Sequence, residues 1–378
     1  MQFLLKIKTM QKHYLSIPLL SLLAVVGLFS CAKKSNNINN GQIIATPYSL
    51  YFADTSGAVF LTNDGKNIST VLPADGQPPL ALVTSGENLV VVKSNIYVQV
   101  NNAINFNFGY GFAAQYQHLC VNGEVRPLNH TMIINSPSWA HMYVASQDPS
   151  PSNYFGIAWS TQNGINTSWV PETYYDTTQV GSSVPRNTMV FSRAVSTFTQ
   201  LQGGVMVAMD TLHNVFFRNG PTIADRWRIH DADPAGVLNG GGYYFLGHLN
   251  NRLMAFDMRG MYGGYYSDDT GLNWTAISGL PANRPLLSVS SPYEQICLVG
   301  TDSAGVYVLN QGTGVFQPAN SGLPAYSVVR GIAFKENIYK NDTKQQYIYL
   351  ATNTGIYQSV DMGQNWVRTI PGNFVAIY

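Results

Sequence analysis

One repeated pattern constrains this chain more than any other feature. GGYYSDDTGLNW (263–274) and GIYQSVDMGQNW (355–366) both fit G-x-Y-x-S-x-D-x-G-x-x-W. The constant places suit a tight hairpin turn. An Asp in a turn accepts hydrogen bonds from N–H groups two or three residues on. Gly takes the left-handed backbone that a side chain resists, and Ser adds a second local hydrogen bond. Trp folds back as an apolar plug whose burial contributes roughly 2–3 kcal/mol. Ser267, Asp269, Gly271, Trp274, Ser359, Asp361, Gly363 and Trp366 are therefore read as structural, not as a catalytic site used twice.

Weaker copies accompany the two intact ones. GAVFLTNDGKNI (57–68) keeps Gly57 and Gly65, with Asn63 in the Asp place and an apolar Ile68. GIAWSTQNGINT (156–167) keeps Gly156, Ser160 and Gly164, with Gln162 for Asp and Trp169 two places late. GVYVLNQGTGVF (305–316) keeps Gly305, Tyr307 and an aromatic Phe316. Apolar strands precede the copies (SLYFADT, MYVASQD, QICLVGT, YIYLATN) and follow them (LLSVSS, VVRGIAF, FVAIY), and SGLP occurs at 278 and 321. Each unit reads as four short strands, at a period of 42 to 50 residues where the copies are clear. That rhythm is the signature of a β-propeller.

Strand clusters fall at 78–112, 131–172, 187–230, 241–277, 286–318 and 328–368. A further unit is split. FVAIY (374–378) reads as the innermost strand of a blade whose other three strands lie in 48–72. The expected fold is all-β: a seven-bladed propeller of four-stranded blades, closed by pairing its N- and C-terminal strands so that no seam is exposed.

Lys6, Lys8 and Lys12 precede the apolar run YLSIPLLSLLAVVGLFS and then Cys31, the order of a secretory signal. LFSC resembles the bacterial lipoprotein box, with Leu28 at −3, Ser30 at −1 and Cys31 as lipid acceptor. The expected organisation is a signal peptide at 1–30, a flexible tether at 31–46 and the propeller at 47–378. Without those three lysines, the 21 basic residues become 18 against 20 acidic ones, a net charge of about −2 with no basic stripe. Nucleic acid is therefore not an expected partner. Cys120 and Cys297 could pair in an oxidising compartment. Cys297, inside QICLVGT, reads instead as a buried free thiol.

The two intact strings closely resemble the Asp-box, or bacterial neuraminidase repeat, of sialidases, sortilin-type propellers, glucan hydrolases and photosystem assembly factors. The resemblance implies a fold element on the face away from any active site. The sialidase template is incompletely met. Arg-Ile-Pro is absent, with only Arg126-Pro127 and Arg284-Pro285 near it, and none of Glu87, Glu124, Glu172, Glu294 or Glu336 stands in a defensible catalytic pattern. G-x-S-x-G, phosphate-loop, H-E-x-x-H and C-x-x-C motifs are missing too. HDAD (230–233) is read as a polar turn.

The longest connections run from a fourth strand to the next first strand, on the face opposite the Asp-box turns. Rigid scaffolds carry binding residues on such loops. The candidates are His118, Glu124, Arg126, His130, Tyr174, Tyr175, Asp176, Arg186, Asp231, Asp233 and Arg284. Tyr with scattered Arg and Asp suits sugar or peptide recognition. The expectation is a monomeric, lipid-anchored propeller of the bacterial outer membrane that binds a glycan or another envelope protein, with no metal, cofactor or catalytic residue. The alternatives are a divergent sialidase-like glycoside hydrolase and an assembly factor for an envelope complex.

Overall fold

The computed structural model describes residues 44–79, 81–85, 88–93, 96–99, 106–108, 118–121, 124–127, 133–136, 141–146, 156–161, 170–171, 173–175, 188–190, 195–210, 212–220, 227–230, 236–238, 241–310 and 314–378. Two compact units are separable: residues 48–335 with 346–378, and 1–47 with 336–345. In the small unit Ile44 pairs with Tyr339 and Thr46 with Ile338.

The larger unit is built from antiparallel sheets, which we number in chain order. Sheet one holds Ala81–Ser85, Asn88–Val92, Ile96–Gln99 and Phe106–Phe108; sheet two holds Ile133–Ser136, His141–Ser146, Gly156–Thr161 and Val170–Pro171. Sheet three runs Val195–Gln200, Met206–Asp210, Val215–Arg218 and Trp227–His230, and is extended by Thr173–Tyr175 and Thr188–Val190. Sheet four holds Tyr244–Leu249, Arg252–Asp257, Gly264–Ser267 and Thr275–Ile277; sheet five holds Leu286–Ser290, Ile296–Thr301, Val306–Asn310 and Gln317–Pro318. Sheet six is Val329–Tyr339, Lys344–Thr352, Gly355–Ser359 and Val367–Pro371, of which residues 336–345 belong to the small unit.

Sheet seven takes its first strand, Phe374–Ile377, from the end of the chain and the other three, Leu50–Asp54, Val59–Thr62 and Ser69–Leu72, from its beginning. Phe52 lies opposite Ile377 and Ala53 opposite Ala376. Tyr51 and Tyr378 exchange backbone hydrogen bonds of 2.9 and 2.8 Å.

Burial follows strand position. Met206–Asp210 and Ile296–Thr301, both second strands, are buried along their whole length. Strands covered on both faces read as continuous apolar runs for that reason. Fourth strands are edges: Thr275 and Ala276 are exposed in sheet four, as are Val367 and Arg368 in sheet six. The core lies between successive sheets. Val207 and Val215 of sheet three pack with Leu246 and Leu253 of sheet four. Leu298 and Val306 meet Ile348 and Leu350 of sheet six. Leu50 and Phe52 meet Tyr349 and Ile370, and Tyr51 and Val59 meet Leu82 and Val91 of sheet one.

Successive sheets also touch through their first strands, except that sheet two meets sheet three through its second strand. Leu246 N donates to Thr197 Oγ1 at 2.9 Å, and Ser288 Oγ to Val329 O at 3.0 Å. Arg330 Nη1 donates to Phe374 O at 3.1 Å. Tyr378 hydrogen-bonds Thr84 of sheet one. Strand Ile133–Ser136 lies against Ala81–Ser85, and His141–Ser146 against Val195–Gln200.

One expected boundary moves. The cluster at 187–230 opens its four-strand run at Val195, while Thr188–Val190 pairs with Thr173–Tyr175. The segment TYY is strand-prone, and it adds in parallel to the edge left open by the fourth strand, Trp227–His230.

Candidate functional site

The repeated turns form a self-contained hydrogen-bond network. In sheet four, Ser267 Oγ donates to Asp269 Oδ1 at 2.7 Å and accepts Gly271 N at 2.7 Å. Asp269 Oδ1 also accepts Asn273 N at 2.8 Å, and Oδ2 accepts Asn273 Nδ2 at 2.6 Å. Sheet six repeats this with Ser359, Asp361, Gly363 and Asn365 at 2.7, 2.9, 2.9 and 2.8 Å. Both oxygens of each Asp are thus engaged within its own turn.

A third copy appears in sheet seven, shifted from its expected place. Asp64, not Asn63, holds the turn: its Oδ1 accepts Lys66 N and Asn67 N, each at 2.8 Å, and its Oδ2 accepts Asn67 Nδ2 at 2.6 Å. Thr62 Oγ1 plays the Ser part, accepting Gly65 N at 3.0 Å. Asn63 instead donates to Tyr48 O at 2.7 Å. This turn is one residue shorter. The intact copies carry two successive left-handed residues, Thr270–Gly271 and Met362–Gly363, where this one has Gly65 alone. The Lys66 N–H, first among several donors that outweigh burial, lowers the Asp64 carboxyl to about 2. At Asp269 and Asp361 burial pushes upward, but the Asn273 and Asn365 donors prevail and hold both carboxyls low.

The residue closing each turn docks on the sheet before it. Phe316 N donates to Ser278 O at 2.9 Å, and Trp366 N to Ser321 O at 2.8 Å. A Cβ on Gly279 or Gly322 would lie 2.0 Å from the Phe316 or Trp366 carbonyl, so the SGLP glycines are there for close approach. Trp366 Nε1 reaches Ala319 O at 2.8 Å. Trp274 packs with Val207 and Val215 of sheet three.

Other turns pack against the links between sheets. Gly76 N donates to Ser56 O at 2.8 Å, Asn283 N to Gly260 O at 3.1 Å and Gly305 N to Ser327 O at 3.1 Å. Asp54, Asp210 and Asp257 end second strands and accept N–H groups of the turns that follow. Thr301 and Thr352 take that place in sheets five and six. In sheet one it is Lys93, 1% exposed, whose Nζ reaches Gly57 O at 2.9 Å and Asp75 Oδ1 at 2.8 Å.

A polar cluster ties sheets three to six together near the ends of their first strands. His248 meets Thr199 Oγ1 through Nδ1 at 3.0 Å and Glu294 Oε1 through Nε2 at 2.8 Å. Glu294 Oε2 accepts Asn250 N at 2.5 Å, and Ser291 Oγ donates to the His248 carbonyl. Both ring nitrogens and both carboxylate oxygens are engaged, so the pair braces two sheets. Tyr293 and Glu294 hold successive left-handed conformations, at φ 54° and 55°. Such strain persists only where surroundings enforce it. Here Glu294 is anchored to sheet four, and Tyr293 Oη donates to Lys335 O of sheet six. Lys335 Nζ lies 4.6 Å from the Tyr378 ring centroid, and burial lowers its ammonium to about 8.

The expected binding residues divide. Cys31, His130, Asp176, Arg186, Asp231 and Asp233 lie outside the described residues. His118, Glu124 and Arg126 belong to a two-stranded hairpin, opposite Pro127, Val121 and Leu119 respectively, where a loop was expected. VNGE at 121–124 carries the Asn-Gly pair that signals such a hairpin. Tyr174 and Tyr175 sit on a strand, opposite Trp227 and Arg228. Arg284 is exposed on the link between sheets four and five, donating to Ser303 Oγ at 2.8 Å. Cys297 is a buried free thiol pushed up to about 12 by burial.

No family model and no curated relative matches the chain. Solved structures do. Apo AztD from Citrobacter koseri is similar at a TM-score of 0.52 and 9% identity, over 88% of this chain and 97% of that one. YCF48 bound to a D1 peptide gives 0.49 at 11% identity, over 83% and 88%. The GH74 xyloglucanase from Xanthomonas campestris gives 0.48 at 9% identity, over 77% of this chain and 45% of that one. These neighbours are β-propeller-like folds, and at such identities the likeness to AztD speaks for the fold alone.

Proposed function

We propose that the protein is a lipid-anchored, seven-bladed Asp-box propeller that binds a glycan or an envelope protein and catalyses nothing. The ring is supported by the shared sheet of the two chain ends and by contacts between inner strands of successive sheets. In this reading the chain is secreted, lipidated at Cys31 and held at the outer membrane by the tether at 31–46.

The observation that carries a structural over a catalytic reading of the repeated turns is the saturation of their carboxylates. Asp64, Asp269 and Asp361 each use both oxygens within their own turns. In this reading the face opposite the turns, where Arg284 is exposed on a link between sheets, would also present His118, Glu124, Arg126, His130, Tyr174, Tyr175, Asp176, Arg186, Asp231 and Asp233. That mix of planar donors and aromatic rings suits sugar hydroxyls or peptide carbonyls.

A glycan array and an envelope pull-down with Arg126→Ala, Tyr174→Ala, Arg186→Ala and Arg284→Ala test this reading. We expect at least one substitution to abolish capture. Capture unchanged in all four removes this face. Hydrolysis of aryl-glycosides, lost on replacing a carboxylate of the same face, would replace binding with catalysis.

A further inference from the structure

Among the described residues, successive sheet junctions repeat one contact, and one junction lacks it. Phe316 and Trp366 close their turns with buried rings, 2% and 3% exposed, seated on the end of the preceding fourth strand. At the junction between sheets six and seven the corresponding residue is Ile68, which is 51% exposed. Beside it lies a cavity of about 250 Å³ lined by Phe52, Phe60, Ile68, Ile370, Phe374 and Asp54. Pro371 and Gly372, which end the fourth strand of sheet six, line it as well. The cavity thus occupies the kind of place that a ring fills at the two junctions before it.

Of its lining, Phe60 is half-buried and Ile68 and Pro371 are exposed, while Phe52 and Phe374 are buried behind them. Phe52 and Phe60 stack at 5.4 Å and 28°, and Phe374 meets Phe52 edge-on at 5.1 Å and 84°. An aromatic guest can extend such a cluster by stacked or edge contacts. An apolar cavity of about 150 Å³ is enough to take benzene, so there is room here for two fused rings. Three polar side chains line it, Asp54, Thr55 and Asn373, and Asp54 has an oxygen left to orient the guest. Asp54 Oδ1 accepts Ser56 N at 2.9 Å and Ala58 N at 3.1 Å, while Oδ2 makes no hydrogen bond among the described residues. At the junction before, the indole N–H of Trp366 donates to Ala319 O at 2.8 Å.

We propose that this cavity binds an indole-type ring, a planar bicyclic aromatic with one N–H donor, packed on Phe60 between Ile68 and Pro371 and donating to Asp54. The chain supplies this ring itself at two other junctions, through Trp274 and Trp366, and leaves the place open beside Ile68.

Saturation-transfer NMR on the full chain tests the site with three probes: indole, indene (the same shape without the N–H) and N-acetyltryptophanamide. Wild type is expected to bind indole with a dissociation constant on the order of 1 mM, and indene several-fold more weakly. Ile68→Trp, which supplies the ring covalently, is expected to weaken indole at least tenfold, while Ile68→Ala retains it. Ile68→Phe replaces Ile68→Trp if the latter does not fold. Binding of N-acetyltryptophanamide alongside indole assigns the site to a tryptophan side chain of another protein; indole binding alone assigns it to a free small molecule. Absence of indole binding in wild type, or binding unchanged in the filled variant, overturns the site. Indene bound as tightly as indole overturns the role of Asp54.

Discussion

Asn365 holds Asp361 twice: its backbone N–H donates to Oδ1 at 2.9 Å and its amide Nδ2 to Oδ2 at 2.8 Å. Asn273 does the same to Asp269 and Asn67 to Asp64. The Asn is therefore as much a part of the turn as the Asp. Replacing Asn365 with Ala removes the amide bond at an exposed site, and we expect a cost of about 1 kcal/mol. The urea midpoint should fall without a change in slope. Asn273→Ala should cost somewhat less, because Asn365 Oδ1 also accepts Ser321 Oγ at 2.8 Å, a bond that Asn365→Ala removes as well.

The turn-closing aromatics should matter far more than the residue that replaces them. Trp366 is 3% exposed and packs with Leu298 and Val306. Trp366→Ala leaves a large cavity and orphans Ala319 O, so we expect a loss of roughly 3–5 kcal/mol. Ile68 is 51% exposed, and Ile68→Ala should cost less than about 1 kcal/mol. Thermal unfolding of the two variants beside wild type separates them.

The ends of the inner strands should give stability an unusual alkaline profile. Lys335 titrates near 10.5 when unfolded and is lowered by burial to about 8. Between those values the unfolded chain holds more protons, so stability should rise with pH. Tyr48 has the opposite sign. Burial raises it from 10.0 to about 12, so its contribution is present below pH 10 and is lost above it. Stability should climb from about pH 8 to 9, level off as the buried Cys297 thiol, raised from 9.0 to about 12, offsets Lys335, and fall above about pH 10. Lys335→Met should flatten the climb and leave the fall in place, as read from urea unfolding across that range.

What the sequence conveyed depended on how local the cause was. A turn of Ser, Asp, Gly and Trp is specified within eight residues, so its intact copies were legible, and so was the strand rhythm around them. Asn273 and Asn365 were missed although both copies end in Asn-Trp, because only their hydrogen bonds explain why Asn recurs. Asp64 was assigned one residue off because its turn drops a left-handed position that spacing alone does not reveal. The His248–Glu294 pair joins residues 46 apart on different sheets, and nothing near either residue signals it. Tyr174 and Tyr175 read as loop residues because their strand takes its partner, Trp227–His230, from more than fifty residues away.

The sharing of one sheet by both ends of the chain can be tested covalently. Ala53 lies opposite Ala376, and both are buried. Directly opposed residues of an antiparallel pair stand about as far apart as a disulfide requires. We expect the double variant Ala53→Cys, Ala376→Cys to form an intramolecular disulfide under mild oxidation, identified by peptide mass mapping. It should raise stability by roughly 2–4 kcal/mol, while removal of residues 374–378 should lower it sharply. A folded monomer in which the two introduced thiols stay unlinked under oxidation, and in which the truncation unfolds like wild type, would contradict the shared sheet and the ring built on it.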